Sequence, residues 1–341
     1  MNQWNQTHRR ILLGVIIFIA LIGAVVALSE REQLTRVLNE ANPASLFGAV
    51  LTTMVSFIAT SIAFSIIARM LGVPMNHRDL SMIGFVSLVL NHVVSSGGLA
   101  GYSLRLIFMQ ANGAKAEQVI ATSVLHFYLT SLVMLTMVPV CTTYLLLNAS
   151  VSRGISIALM VITALLVIGA VLAGVLLSAR SSRYPVLRLV RRIVHLVTRR
   201  DIGERLQQFD ENLSYGARVL RTRPATFAAI ILLVTIDWAA SVATLGFCFS
   251  ALGTSVGPGD LLTGFVIGTV AGALSMIPGG MGVLEGSMAG IFALLGYSFQ
   301  RAVLSSILFR GMFYFLPYFI SLAFYSRLIR RSGLTANSAQ D

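Results

Sequence analysis

Residues 275–317 read SMIPGGMGVLEGSMAGIFALLGYSFQRAVLSSILFRGMFYFLP, and their reading decides the fold. An apolar run halts at Pro278-Gly279-Gly280, because proline brings no amide donor and glycine has the widest backbone freedom. A second apolar run starts at once and carries Glu285. After Gly296 a third run holds Arg310. Broken helices with charges are costly in hydrocarbon and persist where they line a protein-enclosed cavity. The stretch therefore predicts a membrane protein whose helices break around a polar interior.

Composition extends this to the whole chain. Of 341 residues 56% are hydrophobic and 11% charged, with a mean hydropathy of +0.82, which excludes an ordinary soluble protein. Apolar runs of about 18 or more residues read as membrane spans, and they fill most of the sequence. The formal charge is +12, and in a membrane protein this points to the positive-inside rule and anionic lipid rather than nucleic acid. Cys141 and Cys248 both fall inside apolar runs and read as buried small hydrophobes.

Outward from the opening stretch, the chain divides into five parts. Residues 1–42 hold a first span, residues 11–28, and a polar connector; the span exceeds the roughly 7–15 residues of a signal-peptide core and reads as retained. Residues 43–179 form a first membrane unit with a broken hairpin at 80–111. Residues 180–224 carry eleven arginines against four acids, with apolar residues at helical spacing, and predict two amphipathic helices on the membrane face. Residues 225–327 form a second membrane unit with a broken hairpin at 260–296. Residues 328–341 are a polar, basic tail.

The two broken stretches correspond. Gly97-Gly98 matches Gly279-Gly280, Gly113 matches Gly296 and His126 matches Arg310, so spacing holds over about thirty residues. If each hairpin returns to the side it entered, nineteen basic residues share one side and four the other. The positive-inside rule then makes the richer side cytoplasmic, together with both termini and the 180–224 segment. The fold class that follows is an all-α polytopic membrane protein, with about six spanning helices and two re-entrant hairpins in an inverted repeat, as in many secondary transporters.

Candidate functional residues lie at the breaks. A half-helix starting after Gly98 or Gly280 turns free N–H groups and a positive dipole end toward an anion; alternatively, the glycines serve close helix packing. Arg105 and Arg310 suit a phosphate through bidentate hydrogen bonds, or else they close internal ion pairs with Glu285 and Asp237. His92 and His126 read as hydrogen-bonded core residues. The binding set expected at one midplane cavity is Gly97, Gly98, Arg105, Gly279, Gly280, Glu285, Arg310 and Asp237. No metal-ligand spacing, nucleophile elbow or phosphate-cradling loop is present, so neither metal, cofactor nor catalytic residue is expected.

The pattern Ile277-Pro278-Gly279-Gly280-Met281-Gly282-Val283-Leu284-Glu285-Gly286, followed by Gly296, Ala302, Arg310 and Pro317, resembles the lysylphosphatidylglycerol synthase transmembrane family. These flippase-like proteins correspond to the membrane half of the bacterial multiple peptide resistance factors. Gly97-Gly98-Leu99, Gly101 and Arg105 are similar to the family's first motif. Ser96 stands where that motif has proline, His126 where the family has arginine, and no acid follows in His126-Phe127-Tyr128-Leu129. The resemblance implies a bacterial inner-membrane protein that moves a phospholipid or lipid-linked molecule between leaflets. The alternatives are a non-catalytic partner of a lipid synthase, with the basic segment as docking surface, or a membrane-embedded transferase. The soluble catalytic domain of the bifunctional relatives is not seen after residue 326, and an enzyme is not expected.

Overall fold

The computed structural model describes residues 41–93, 99–178, 180–198, 203–275, 277 and 280–332. The expected first span and connector, Gly97, Gly98, Gly279 and the end of the tail lie outside them. The described residues form helices and turns with no strand: α1 (Pro43–Met70), α2 (His77–Val93), α3 (Leu99–Ala111), α4 (Ala116–Asn148), α5 (Arg153–Ser178), α6 (Arg180–Thr198), α7 (Gly203–Thr222), α8 (Pro224–Ala251), α9 (Pro258–Leu274), α10 (Val283–Leu294), α11 (Phe299–Arg310) and α12 (Leu316–Ser332). A π-helical turn, Gly311–Phe315, joins α11 to α12. Among the described residues five helical stretches are long and apolar enough to cross a membrane: α1, α4, α5, α8 and Phe299–Arg330. The protein is an all-α polytopic membrane protein.

Helix order repeats. α1 and α8 are each 28 residues long and open on Pro43 and Pro224, 181 positions apart. α2 and α9 are each 17 residues long, and α3 and α10 are 13 and 12. The turns between them match as well, on left-handed glycines: Gly72 and Gly253 after the long helices, Gly113 and Gly296 after the short ones. Glycine suits these positions because a Cβ is strained at such φ. At about 1.5 Å per residue, α3 and α10 rise about 20 Å, short of the roughly 30 Å hydrocarbon core.

The chain forms two compact units that divide these helices between them: the described parts of Met1–Met54, Leu88–Gly101 and Ser241–Phe319, and those of Val55–Ser87, Tyr102–Ala240 and Ile320–Asp341. In the first unit, α1 and α8 run antiparallel, with Asn42 N donating to Ala251 O at 3.0 Å. Ser45 Oγ donates to Ser250 Oγ at 3.2 Å and Thr52 Oγ1 lies 2.9 Å from Thr244 Oγ1 along the same pair. α9 and α10 are also antiparallel. Gly264, Gly268 and Gly272, one per turn of α9, face Phe292, Met288 and Leu284 of α10 so closely that an added Cβ would stand 2.4, 2.4 and 3.1 Å from them. Two aromatic groups flank this pair: Phe249, Phe292 and Tyr297, and Phe265, Phe309 and Phe313.

The second unit has its own core, where Ala63 and Ile67 of α1 and Leu71 just after it meet Ala121, Leu125, Leu129 and Val133 of α4 and Ile230 and Val234 of α8. Trp238 Nε1 donates to Thr130 O at 3.1 Å beside it. The two amphipathic helices expected in 180–224 are present as α6 and α7, but α7 does not leave its apolar face for the bilayer. Leu213 is fully buried, Phe209 packs on the core cluster, and Gly216 sits against Leu71 and Leu125. Arg183 ties the two helices together through Asp210 at 2.6 Å, with further bonds to Leu176 O and Ser214 Oγ. This pair is buried on both sides, so α6 is tied to α7, which docks on protein, while Tyr184, Val186 and Leu189 of α6 stay exposed. α5 is the opposite case: its apolar side chains, Leu165, Ile168, Val171 and Leu172 among them, stay exposed as a lipid-facing span requires.

Candidate functional site

Each unit holds one buried arginine, Arg310 at the end of α11 and Arg105 within α3, and the two are stabilised differently. In the first unit the chain turns at Gly280 and Gly282, with φ of 59° and 79°. At Gly280 a Cβ would also stand 3.3 Å from the Gly272 backbone, so both conformation and space demand glycine there. α10 then starts, and Glu285 reaches back so that Oε2 accepts the Gly282 N–H at 2.9 Å. Its other oxygen, Oε1, lies 2.5 Å from Arg310 Nε, with both side chains largely buried. One carboxylate thus caps the half-helix and neutralises the arginine, giving the helix start its own anion.

Around this pair the π turn brings Tyr314 under the Arg310 guanidinium, 5.1 Å from its ring centroid. His92 packs edge-on against Phe313 and Tyr314, with Nδ1 2.8 Å from Leu88 O. That is the hydrogen-bonded core role expected for His92. π turns recur at functional sites, and this one directly follows Arg310.

In the second unit Arg105 of α3 is 6% exposed. Its Nε donates to Ser87 Oγ at 2.8 Å, and its guanidinium lies 4.4 Å from the Phe64 ring centroid. Among the described residues no carboxylate stands within ion-pair distance of it. The pairing expected with Asp237 is not made: Asp237 of α8 accepts from Ser56 Oγ at 2.5 Å and from the Thr60 hydroxyl. Thr60 Oγ1 in turn lies 3.4 Å from His126 Nε2, and the His126 ring meets Phe64 edge-on.

Of the residues expected to bind substrate, Gly280, Glu285 and Arg310 come together in the first unit. Arg105 and Asp237 belong to the second unit, where His126 and Thr60 stand beside them. Ser56, Thr60, Phe64, Ser87 and Tyr314 escaped the sequence reading, since single hydroxyls and aromatics in apolar helices carry no motif. One signal for Ser56 did exist, because it is the repeat equivalent of Asp237, 181 positions earlier, and the two meet.

The repeat exposes what is special about Arg105. Within the first unit Gly268 packs on Met288 and Gly272 on Leu284. The residues 181 positions before these glycines are Ser87 and Asn91, and 183 positions before their partners are Arg105 and Gly101. Ser87 bonds Arg105, and Asn91 Oδ1 accepts the Gly101 N–H at 2.7 Å. The same two contacts therefore hold both hairpins, and at the position of Arg105 the sister hairpin uses a methionine.

A third basic feature lies outside the spans. A cleft of about 1040 Å³ between α6 and α7 is lined by Tyr184, Arg188, Arg191, Arg192 and Gln207. Arg188 stacks on Tyr184, 4.6 Å from the ring, and its hydrogen bond holds the phenol below its usual pKa.

The chain matches the model of the lysylphosphatidylglycerol synthase TM region over residues 11–321. Similar proteins include a UPF0104 membrane protein of Methanothermobacter thermautotrophicus, 30% identical over 117 residues, which are 32% of this chain and 35% of that protein. The phosphatidylglycerol lysyltransferase of Staphylococcus aureus is 30% identical over 87 residues, 26% of this chain and 10% of the enzyme. The chain thus spans about a third or less of the curated relatives it matches. With the family match covering nearly every span described above, this chain belongs to the lysylphosphatidylglycerol synthase transmembrane-region family.

Proposed function

We propose that the protein carries an anionic phospholipid or lipid-linked molecule between the leaflets of the bacterial inner membrane, with Arg105 and Arg310 as the groups that hold its phosphate. The observation that carries this reading is Arg105. A methionine suffices for the same contact in the sister hairpin, so packing does not call for a guanidinium there. Burying one without a carboxylate partner is costly, and the cost is relieved when a ligand supplies the anion. Arg310 has its anion already in Glu285, so Arg105 and Arg310 make an open and a self-filled half-site.

The antiparallel run of α1 against α8, its repeat counterpart, supports an inverted repeat, and the shortness of α3 and α10 supports re-entrant hairpins. In this reading Glu285 releases Arg310 as the headgroup passes. Asp237 balances the second half-site. The protein transports and performs no chemistry on the lipid. The name of the lysyltransferase relative makes phosphatidylglycerol or an aminoacylated derivative the first substrate to try.

The test is translocation of labelled phosphatidylglycerol by the purified protein in vesicles. Wild type should accelerate it, and Arg105→Met should abolish it while folding normally. Normal transport by a folded Arg105→Met protein overturns the reading. The basic α6–α7 cleft favours a second reading, a docking partner for a lipid-modifying enzyme. Absence of transport by the wild-type protein alone, with transport restored by a co-expressed synthase, would select it.

A further inference from the structure

Three polar side chains of the second unit form a chain that the anion site does not itself require. Asp237, 9% exposed in the middle of α8, is bonded by the hydroxyls of Ser56 and Thr60. The Thr60 hydroxyl is 3.4 Å from His126 Nε2, and the same nitrogen is 3.3 Å from Thr60 O. One threonine hydroxyl therefore connects a buried carboxylate to a buried imidazole. The imidazole touches Phe64, and Phe64 carries the Arg105 guanidinium. The described contacts bring three titratable or charged groups to this place: Arg105 from α3, His126 from α4 and Asp237 from α8. α1 contributes Ser56, Thr60 and Phe64, and α2 contributes Ser87.

Packing alone does not explain the carboxylate. The repeat equivalent of Asp237 is Ser56, so the matching position of the other repeat is filled by a neutral hydroxyl.

We propose that His126, Thr60 and Asp237 form a proton site that takes up one proton when an anion occupies Arg105, so that the lipid phosphate and a proton bind together. This rests on the reading of Arg105 as the anion-holding group. With the site empty, Arg105 and an ionised Asp237, although not paired with each other, sum to no net charge. An arriving phosphodiester adds one negative charge inside the membrane, where a net charge is expensive. A proton from water, held on the imidazole or the carboxylate, restores neutrality, and the connecting hydroxyl lets the two groups titrate as one site. The coupling is reciprocal: the phosphate tightens proton binding by the factor that the proton tightens phosphate binding. A proton gradient can then drive or gate the lipid.

Calorimetric titration of the full chain in detergent with short-chain phosphatidylglycerol, in two buffers of different ionisation enthalpy near neutral pH, counts the protons exchanged. Wild type should take up close to one proton per lipid. Because the complex holds more protons than the free protein, affinity should fall about tenfold per pH unit as pH rises through the titration. His126→Gln should bind with no proton exchange and a flat pH profile. If that variant does not fold, Thr60→Val breaks the connection and should lower the exchange. Glycerophosphoglycerol and inorganic phosphate, titrated in parallel, show whether the lipid tails are required. Lipid binding by wild type without proton exchange overturns the proton site and leaves the anion site standing, as does unchanged exchange in the folded variants. Failure of wild type to bind any of the three ligands overturns the anion site, and the proton site with it.

Discussion

Arg105 and Arg310 show how little a residue's identity says before its partners are known. Both are buried cations, yet one lies on a hydroxyl and a phenyl ring and the other on a carboxylate. Their chemistry predicts opposite responses to neutralisation. Glu285→Gln should destabilise the protein by on the order of 3 kcal/mol, since removing one partner of a buried pair strands the other. The double variant Glu285→Gln/Arg310→Gln should cost less than the two single changes added, and thermal unfolding of all four proteins in detergent gives the coupling. For Arg105 the sister hairpin supplies the design: Ser87→Gly with Arg105→Met reproduces the Gly268–Met288 contact. That double variant should unfold within about 1 kcal/mol of wild type, because it copies the sister contact and leaves Asp237 its bonds to Ser56 and Thr60. A large loss of stability would mean that Arg105 serves the fold.

At the scale of elements, the short-helix hairpins are held by close approach and not by long apolar faces. Gly268→Ala places a Cβ 2.4 Å from Met288 Cγ and 3.2 Å from Met288 N, so α9 and α10 must separate. The expected cost is about 1–3 kcal/mol. Gly286→Ala is the control: its Cβ meets no described atom within 4 Å, and helix propensity should make it neutral or stabilising by about 0.5–1 kcal/mol. The transition temperatures of the two variants should move in opposite directions. These elements were legible in the sequence where they end on proline or left-handed glycine, as at Gly113 and Gly296. The glycine ladder of α9 was not, because glycines four apart in an apolar helix look alike whether they face lipid or a partner. The docking of α7 was hidden for a related reason. An amphipathic period shows that Phe209 and Leu213 need an apolar surface but does not say whether bilayer or protein provides it.

For the molecule as a whole, the sequence disclosed a repeat over about thirty residues around the breaks, and the structure extends it to the long helices. Pro43 and Pro224 open spans of equal length, and only the positions of polar residues tell the repeats apart. The long helices escaped notice because apolar residues interchange freely in lipid, so equivalent spans share length and caps more than identity. The buried charges were legible but not their partners: Glu285 with Arg310 could be guessed, whereas Ser56 with Asp237 needed the antiparallel crossing of α1 and α8. That crossing bears on topology. Antiparallel equivalent helices put the start of α1 and the end of α8 at one end of their pair, where Asn42 meets Ala251. The loop after α8 carries no charge until Asp260, while the α6–α7 hairpin before α8 is strongly basic. The positive-inside rule then predicts a cytoplasmic hairpin and an external loop. Both native cysteines are buried, so labelling has a low background. In intact cells a membrane-impermeant maleimide should modify a cysteine at exposed Ser255 and leave one at exposed Gln208 untouched until the membrane is opened. The reverse pattern would invert the topology, and labelling of both in intact cells would place α8 entirely on one side.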